Sequence, residues 1–202
     1  MNKYFYHGIE SYYGCLGETI EIVYKILQEG LKTRNQVRNY QDNDFNHVCL
    51  YRKNDDWDYN IPGNIYKSAR AGWIDNSFVF IISPEIIAVK ELEEKTDLVD
   101  EWRSINDIPP DKIIGIALPF ESINDYLNET TDEEVIEDQK KLKKFLPLVA
   151  DYAIKNNLFY TDSEIPNFTE ELDKTLSNSL KKWYNKIIEV KIWVRKKKWL
   201  NQ

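Results

Sequence analysis

Runs of apolar and polar positions divide the chain into recognisable elements. Tyr4-Phe5-Tyr6-His7 is an aromatic, strand-favouring opening that passes into a segment punctuated by Gly8, Gly14 and Gly17, which predicts a short strand and then a loop. Ile20, Val23, Tyr24 and Leu27 follow at i, i+3, i+4 and i+7, the spacing of one helical face; Thr19 is the expected N-cap and Gly30 the stop. Such a helix buries its apolar stripe against a sheet. His47 to Tyr51 predicts a second strand, Lys53 to Gly63 an exposed polar loop, and Tyr66 to Gly72 a short helix. Phe78 to Ser83 and Ile86 to Val89 are β-rich runs broken at Ser83-Pro84, so a hairpin is expected there. Val99 to Arg103 alternates moderately, and Lys112 to Leu118 reads as a strongly apolar strand. Between them Ile108-Pro109-Pro110-Asp111 forces a turn, because consecutive prolines cannot continue a ladder.

Past Phe120 the period changes. Leu142, Phe145, Leu146, Val149, Tyr152 and Ala153 recur at helical spacing, and Thr169 to Trp193 continues it. The expected class is therefore α+β: a mixed sheet of five or six strands with one early helix over residues 1–119, and a mostly helical C-terminal extension over 120–202.

Composition adjusts this picture in three ways. The 202 residues suffice for one well-cored domain with an appendage, and 42% hydrophobic with 30% charged residues is a globular balance. No apolar run reaches the length of a membrane span and the first residues lack a signal-peptide core. The expected location is therefore the cytoplasm, or a target cell reached through a specialised secretion system. Cys15 and Cys49 form neither a zinc pattern nor a disulfide framework, so no structural metal is expected. The net charge of −7 is uneven. Lys181 to Gln202 carries eight Lys or Arg against one Glu, leaving 19 against 33 in the rest of the chain. An acidic body disfavours broad nucleic-acid affinity, whereas the end permits a local basic patch.

Candidate chemistry gathers in a few phrases. His7-Gly8 is followed by a helix ending Ile26-Leu27-Gln28-Glu29-Gly30-Leu31, then a strand with Tyr51 near its end, and finally Glu101-Trp102-Arg103 leading into Ile108-Pro109-Pro110-Asp111-Lys112-Ile113. In this order the segments resemble the ADP-ribosyltransferase superfamily of the His-Tyr-Glu type, the branch that includes poly-ADP-ribose polymerases, diphtheria-toxin-like enzymes and small bacterial or phage toxins. In that family a strand-borne His-Gly precedes a helix and an Ile-Leu-x-x-Gly-Leu phrase, and the catalytic Glu opens a strand leading to Ile-Pro-Pro-x-x-Ile. The resemblance spans residues 4 to about 119 and implies a split β-sheet core that binds NAD as a substrate, with no metal.

Cleavage of the nicotinamide–ribose bond passes through a cationic, oxocarbenium-like ribose, so a carboxylate beside it stabilises charge that develops only in the transition state. The resemblance gives that role to Glu101, which would also hydrogen-bond the ribose 2′-hydroxyl and orient the acceptor. It gives His7 the adenosine-side ribose and the Gly8 backbone the nicotinamide amide. Tyr51 is the first choice for the middle residue of the triad, with Tyr66 and Trp73 as rivals for the aromatic wall. Two positions depart from the family pattern. Ile9 stands where Ser or Thr usually follows His-Gly, making Ser11 the nearest hydroxyl, and Cys49 competes with Tyr51 for the tyrosine position. Arg34, Arg38 and Arg52 are candidates for the NAD pyrophosphate, Arg52 the nearest to the predicted strand.

Plainer readings accompany each of these. Glu101 lies among Asp97, Asp100 and Asp107, as on a solvated face; the tyrosines belong to a chain with 13 Tyr; His47 reads as structural. Lys191 to Leu200 interleaves cations with Trp193 and Trp199, which suits a nucleic-acid or acidic partner and equally a basic helix end packed on the acidic body. The expected activity is mono-ADP-ribosylation of a macromolecule, protein or nucleic acid, by a toxin or effector. The alternatives are NAD hydrolysis, RNA 2′-phosphotransfer, and a catalytically degenerate binding module of the same fold.

Overall fold

A computed structural model describes residues 4–11, 15–33, 46–51, 76–90, 101–128 and 133–162. The elements are β1 (Phe5–Ser11), α1 (Leu16–Glu29), β2 (Val48–Tyr51), β3 (Asn76–Ile82), β4 (Val89–Lys90), β5 (Glu101–Ser104), a 3-10 turn (Pro110–Lys112), β6 (Ile113–Leu118), α2 (Phe120–Asn128), α3 (Glu133–Lys155) and β7 (Phe159–Asp162). The fold is α+β. Among the described residues the strands form one mixed sheet in the order β4-β5-β2-β1-β3-β6-β7, antiparallel throughout except for the parallel β6–β7 pair. The expected loop at 53–63, helix at 66–72 and helical tail beyond 169 lie outside the described residues.

The register puts Phe5 opposite Ile82, His7 opposite Phe80 and Ile9 opposite Phe78. Phe5, Phe78, Phe80 and Ile82 join Val48, Leu50, Ile116 and Leu118 in a core shared with Leu16, Ile20, Val23 and Leu27 of α1 and Leu142, Val149 and Ala153 of α3. The periodicity that predicted α1 is thus its buried stripe, and each large side chain there contributes about 1.5–3 kcal/mol by leaving water. Tyr6, Val79, Ile81 and Ala117, which alternate with the helix-facing set, are also fully buried. A central strand enclosed on both faces reads as an unbroken apolar run, as Phe78 to Ile82 does.

Three expectations change. The hairpin is absent: Val89–Lys90 pairs with β5, not β3, because both edges of β3 are already occupied by β1 and β6. Past β3 the chain turns at Ser83, whose N–H donates to the Lys112 carbonyl at 2.9 Å and whose hydroxyl accepts the Glu85 N–H at 3.2 Å. The region after Phe120 also holds a strand. α3 ends at Lys155, Asn157 in the turn just beyond it takes a positive φ of 53°, and the chain returns as β7 alongside β6. Residues 120–162 consequently share the sheet and the core of the first 119.

The third change concerns the start of α1. Gly8 and Gly17 were expected in one loop; Gly8 lies within β1 and Gly17 within the first turn of the helix. Thr19 is not the cap, since its hydroxyl bonds the Cys15 carbonyl (2.9 Å) and the Ser11 hydroxyl (3.0 Å). The cap comes from a distant helix. Asp138 of α3 accepts the Gly17 N–H at 2.6 Å and the Glu18 N–H at 2.9 Å, and Tyr126 of α2 donates its hydroxyl to the same carboxylate at 3.0 Å. A carboxylate on the first amides satisfies donors that the helix itself leaves open and complements its dipole. Gly17 is required by the approach: a Cβ there would overlap the Asp138 carbonyl oxygen. Burial and then the bond to Asp138 push the Tyr126 phenol well above its ordinary value, so it stays a donor. Asp138→Ala leaves two amides and a phenol without this acceptor and is expected to lower the unfolding free energy by about 3 kcal/mol. An unchanged denaturant midpoint would show that the cap carries no stability.

Candidate active site

β1 stands at the centre of the arrangement. It pairs with β3 along its whole length, Phe5 to Ser11, but with β2 at one register position, Tyr6 opposite Tyr51. The His7 ring reaches β2, with Nδ1 2.8 Å from the Cys49 carbonyl oxygen. A carbonyl can only accept, so Nδ1 carries a proton and donates this bond. The ring is half-buried and stacks at 6.5 Å on Phe80, which the sheet core holds rigidly.

β2 continues the row outward. Tyr51, its last residue, pairs with Glu101, the first residue of β5, so Tyr6, Tyr51 and Glu101 stand side by side on three neighbouring strands. His7 is one step along β1 from this row. Strand alternation turns His7 to the face of Phe80, whereas Tyr6, Tyr51 and Glu101 occupy register positions of the other face. Gly8 follows on β1 opposite Val79, half-exposed. Ser11 is not brought here: it lies at the far end of β1, buried against the first turn of α1. Arg52, Tyr66 and Trp73, like Arg34 and Arg38, lie outside the described residues.

The two phrases far from the triad prove to be one junction. Leu31, directly after α1, and Ile108, directly before Pro109, form an antiparallel bridge with N–H to carbonyl distances of 2.8 and 2.9 Å. Gly30 has φ 83° and ψ 176°, and a Cβ on it would overlap the Ile108 carbonyl oxygen. Asp107 extends the junction, accepting the Thr33 N–H at 2.9 Å through Oδ1 and approaching Lys32 Nζ at 3.3 Å through Oδ2. The far end of β5 is tied down as well, as the Ser104 hydroxyl donates to the Asn106 carbonyl at 2.8 Å. The end of α1 and the turn after β5 are therefore fixed to each other, and with them the strand that Glu101 opens.

Neither cysteine is activated by a helix terminus. Cys15 precedes α1, where amides would normally favour a thiolate, but burial and the neighbouring Glu18 and Asp138 carboxylates raise its pKa, so it stays protonated at neutral pH. Among the described residues no group of three or more His, Cys, Asp or Glu is placed to hold a metal ion, and no helix is long and apolar enough to cross a membrane.

No family model matches the chain, and none of the curated proteins matches it in sequence. The functional reading therefore rests on the residues and their placement. Sequence reasoning missed Asp107 and Asp138, whose roles depend on partners 74 and 120 or 121 residues away. Their one local signal was an acidic side chain close to an apolar stripe or a turn.

Proposed function

We propose that the chain is an ADP-ribosyltransferase of the His-Tyr-Glu type that cleaves NAD and transfers ADP-ribose to a macromolecule, as a toxin or effector would. The observation that carries this reading is the register that places Tyr51 opposite Glu101 and opposite Tyr6, the neighbour of His7, so that three distant parts of the sequence lie on adjacent strands. The Gly30–Ile108 junction supports a shared purpose for the two phrases that accompany the triad in the sequence.

In this reading NAD lies across the strand ends. Glu101 places a negative charge beside the nicotinamide ribose, where positive charge grows as the glycosidic bond breaks. That interaction is stronger in the transition state than with bound NAD, and so accelerates bond cleavage. His7, held by Cys49 and Phe80, offers Nε2 to a ribose hydroxyl in a preset orientation. Gly8 lets the nicotinamide amide approach the backbone, and Tyr51 supplies an aromatic neighbour to the ring. NAD takes part as a substrate, and the acceptor is a protein or nucleic-acid nucleophile.

Incubating the pure protein with NAD labelled in the adenylate part, alone and with cell extract, tests the proposal. Label on macromolecules is the expected result. Label released only as free ADP-ribose would replace transfer by hydrolysis, and intact NAD at high protein concentration would leave a binding module.

A further inference from the structure

We infer that the acceptor is a protein that docks an apolar side chain on Ile87 and Ile105; the inference rests on the NAD-cleaving reading and names the substrate class which that reading leaves open. Val89 and Lys90 of β4 pair with Arg103 and Trp102 of β5, and β4 is the outermost strand of the described sheet. Two positions before Val89 and two after Arg103, continuation of the same antiparallel register brings Ile87 level with Ile105. Directly opposed positions share one face of a sheet. Ile86, Ala88 and Trp102, which alternate with this pair, pack against the core, and Ser104 is buried. Ile87 and Ile105 fall on the other face and are 77% and 69% exposed, the two most exposed large apolar side chains among the described residues.

An isolated exposed isoleucine is ordinary, but two at one register position on the edge of a sheet occupy ground that sheets normally protect with charge. The charges flanking the pair are already committed. Lys112 Nζ lies 2.6 Å from the carboxylate of Glu85, two residues before Ile87, and Lys32 Nζ lies 3.3 Å from that of Asp107, two residues after Ile105. Arg103 is likewise engaged within the chain. Nucleic-acid affinity depends on cations free to neutralise phosphates, and the chain before Lys181 adds 33 acidic residues against 19 basic ones. An apolar side chain on a polypeptide meets neither obstacle, and its docking removes both isoleucines from water. The placement also suits an acceptor. Ile105 is four residues after Glu101, about 14 Å at strand spacing, a distance that a short extended stretch of the acceptor spans between its anchor and the modified side chain.

The test uses the full chain, NAD labelled in the adenylate part, and two acceptor probes from the same cells: the protein of a nuclease-treated extract, and purified total RNA and DNA. The wild-type chain is expected to label the protein probe and not the nucleic acid. Ile87→Ser combined with Ile105→Ser should lower protein labelling about tenfold or more, while nicotinamide release without acceptor stays within about twofold of wild type, because both positions are exposed. Ile87→Leu combined with Ile105→Leu should keep the labelling, and Ile136→Ser, at an exposed apolar position on α3, should leave it unchanged. If the double Ser variant loses cooperative unfolding, the two single Ser variants decide on the same readouts. Wild-type labelling of protein by a folded Ser variant overturns the assignment, as does an equal loss in Ile136→Ser or label confined to nucleic acid. Nicotinamide release with no label on either probe overturns the acceptor assignment alone, whereas a wild-type chain that releases no nicotinamide overturns the NAD-cleaving reading and this inference with it.

Discussion

Glu101→Gln is expected to reduce NAD cleavage about a thousandfold, an increase of about 4 kcal/mol in the barrier, while leaving the unfolding midpoint unchanged. Gln keeps the shape and the hydrogen-bonding oxygen of Glu and removes only the charge. The loss should therefore appear in kcat more than in KM, because the charge interacts most strongly with a ribose that becomes cationic only as the bond to nicotinamide breaks. Nicotinamide release, followed under single-turnover conditions, measures it directly. A variant within about twofold of wild type would remove Glu101 from the chemistry. Position 101 opens β5 and pairs with the last residue of β2, so the substitution falls at a strand end.

The second large effect is structural. Gly30→Val should destabilise the fold by about 3–4 kcal/mol, combining the cost of a backbone region that is essentially glycine-only with the loss of one buried hydrogen-bonded bridge. The conformation, φ 83° with ψ 176°, tolerates no side chain, and the overlap with the Ile108 carbonyl would push α1 away from the turn after β5. Amide exchange at Leu31 and Ile108 should accelerate together, since each donates to the other. Glu29→Ala, at an exposed neighbouring position, should lie within about 0.5 kcal/mol of wild type. A Gly30→Val protein as stable as the Glu29 variant would show that the junction is incidental.

These two residues mark what could be read from the chain and what could not. Gly30 announced itself as a helix stop after a clear apolar stripe, and the strand at Glu101 and the turn at Pro109-Pro110 followed from alternation and from proline chemistry. The contact between Gly30 and Ile108 could not be read, because nothing local records that two turns meet. Gly17 shows the same limit. Its glycine looked like loop chemistry, whereas the cause is a helix crossing and a cap donated by Asp138. β7 was hidden because Phe159 to Asp162 is a short run following a long helical period, and it becomes a strand only beside β6. The hairpin expected after Phe78 failed for a related reason, as strand pairing depends on which sheet edges remain open.

The candidate site was legible in outline. The order His7, Tyr51, Glu101 came from resemblance alone, while the pairing of Tyr51 with Glu101, one step from His7, needed the sheet register. Ser11 looked equally available in the sequence, yet its hydroxyl is committed to Thr19 at the other end of β1.

The most direct test is a crystal structure with ADP-ribose and nicotinamide bound together. The account predicts the nicotinamide-side ribose within hydrogen-bonding reach of the Glu101 carboxylate, with the other ribose beside His7 Nε2. Ligand bound away from the ends of β1, β2 and β5, or both ribose rings out of reach of these two side chains, would contradict it.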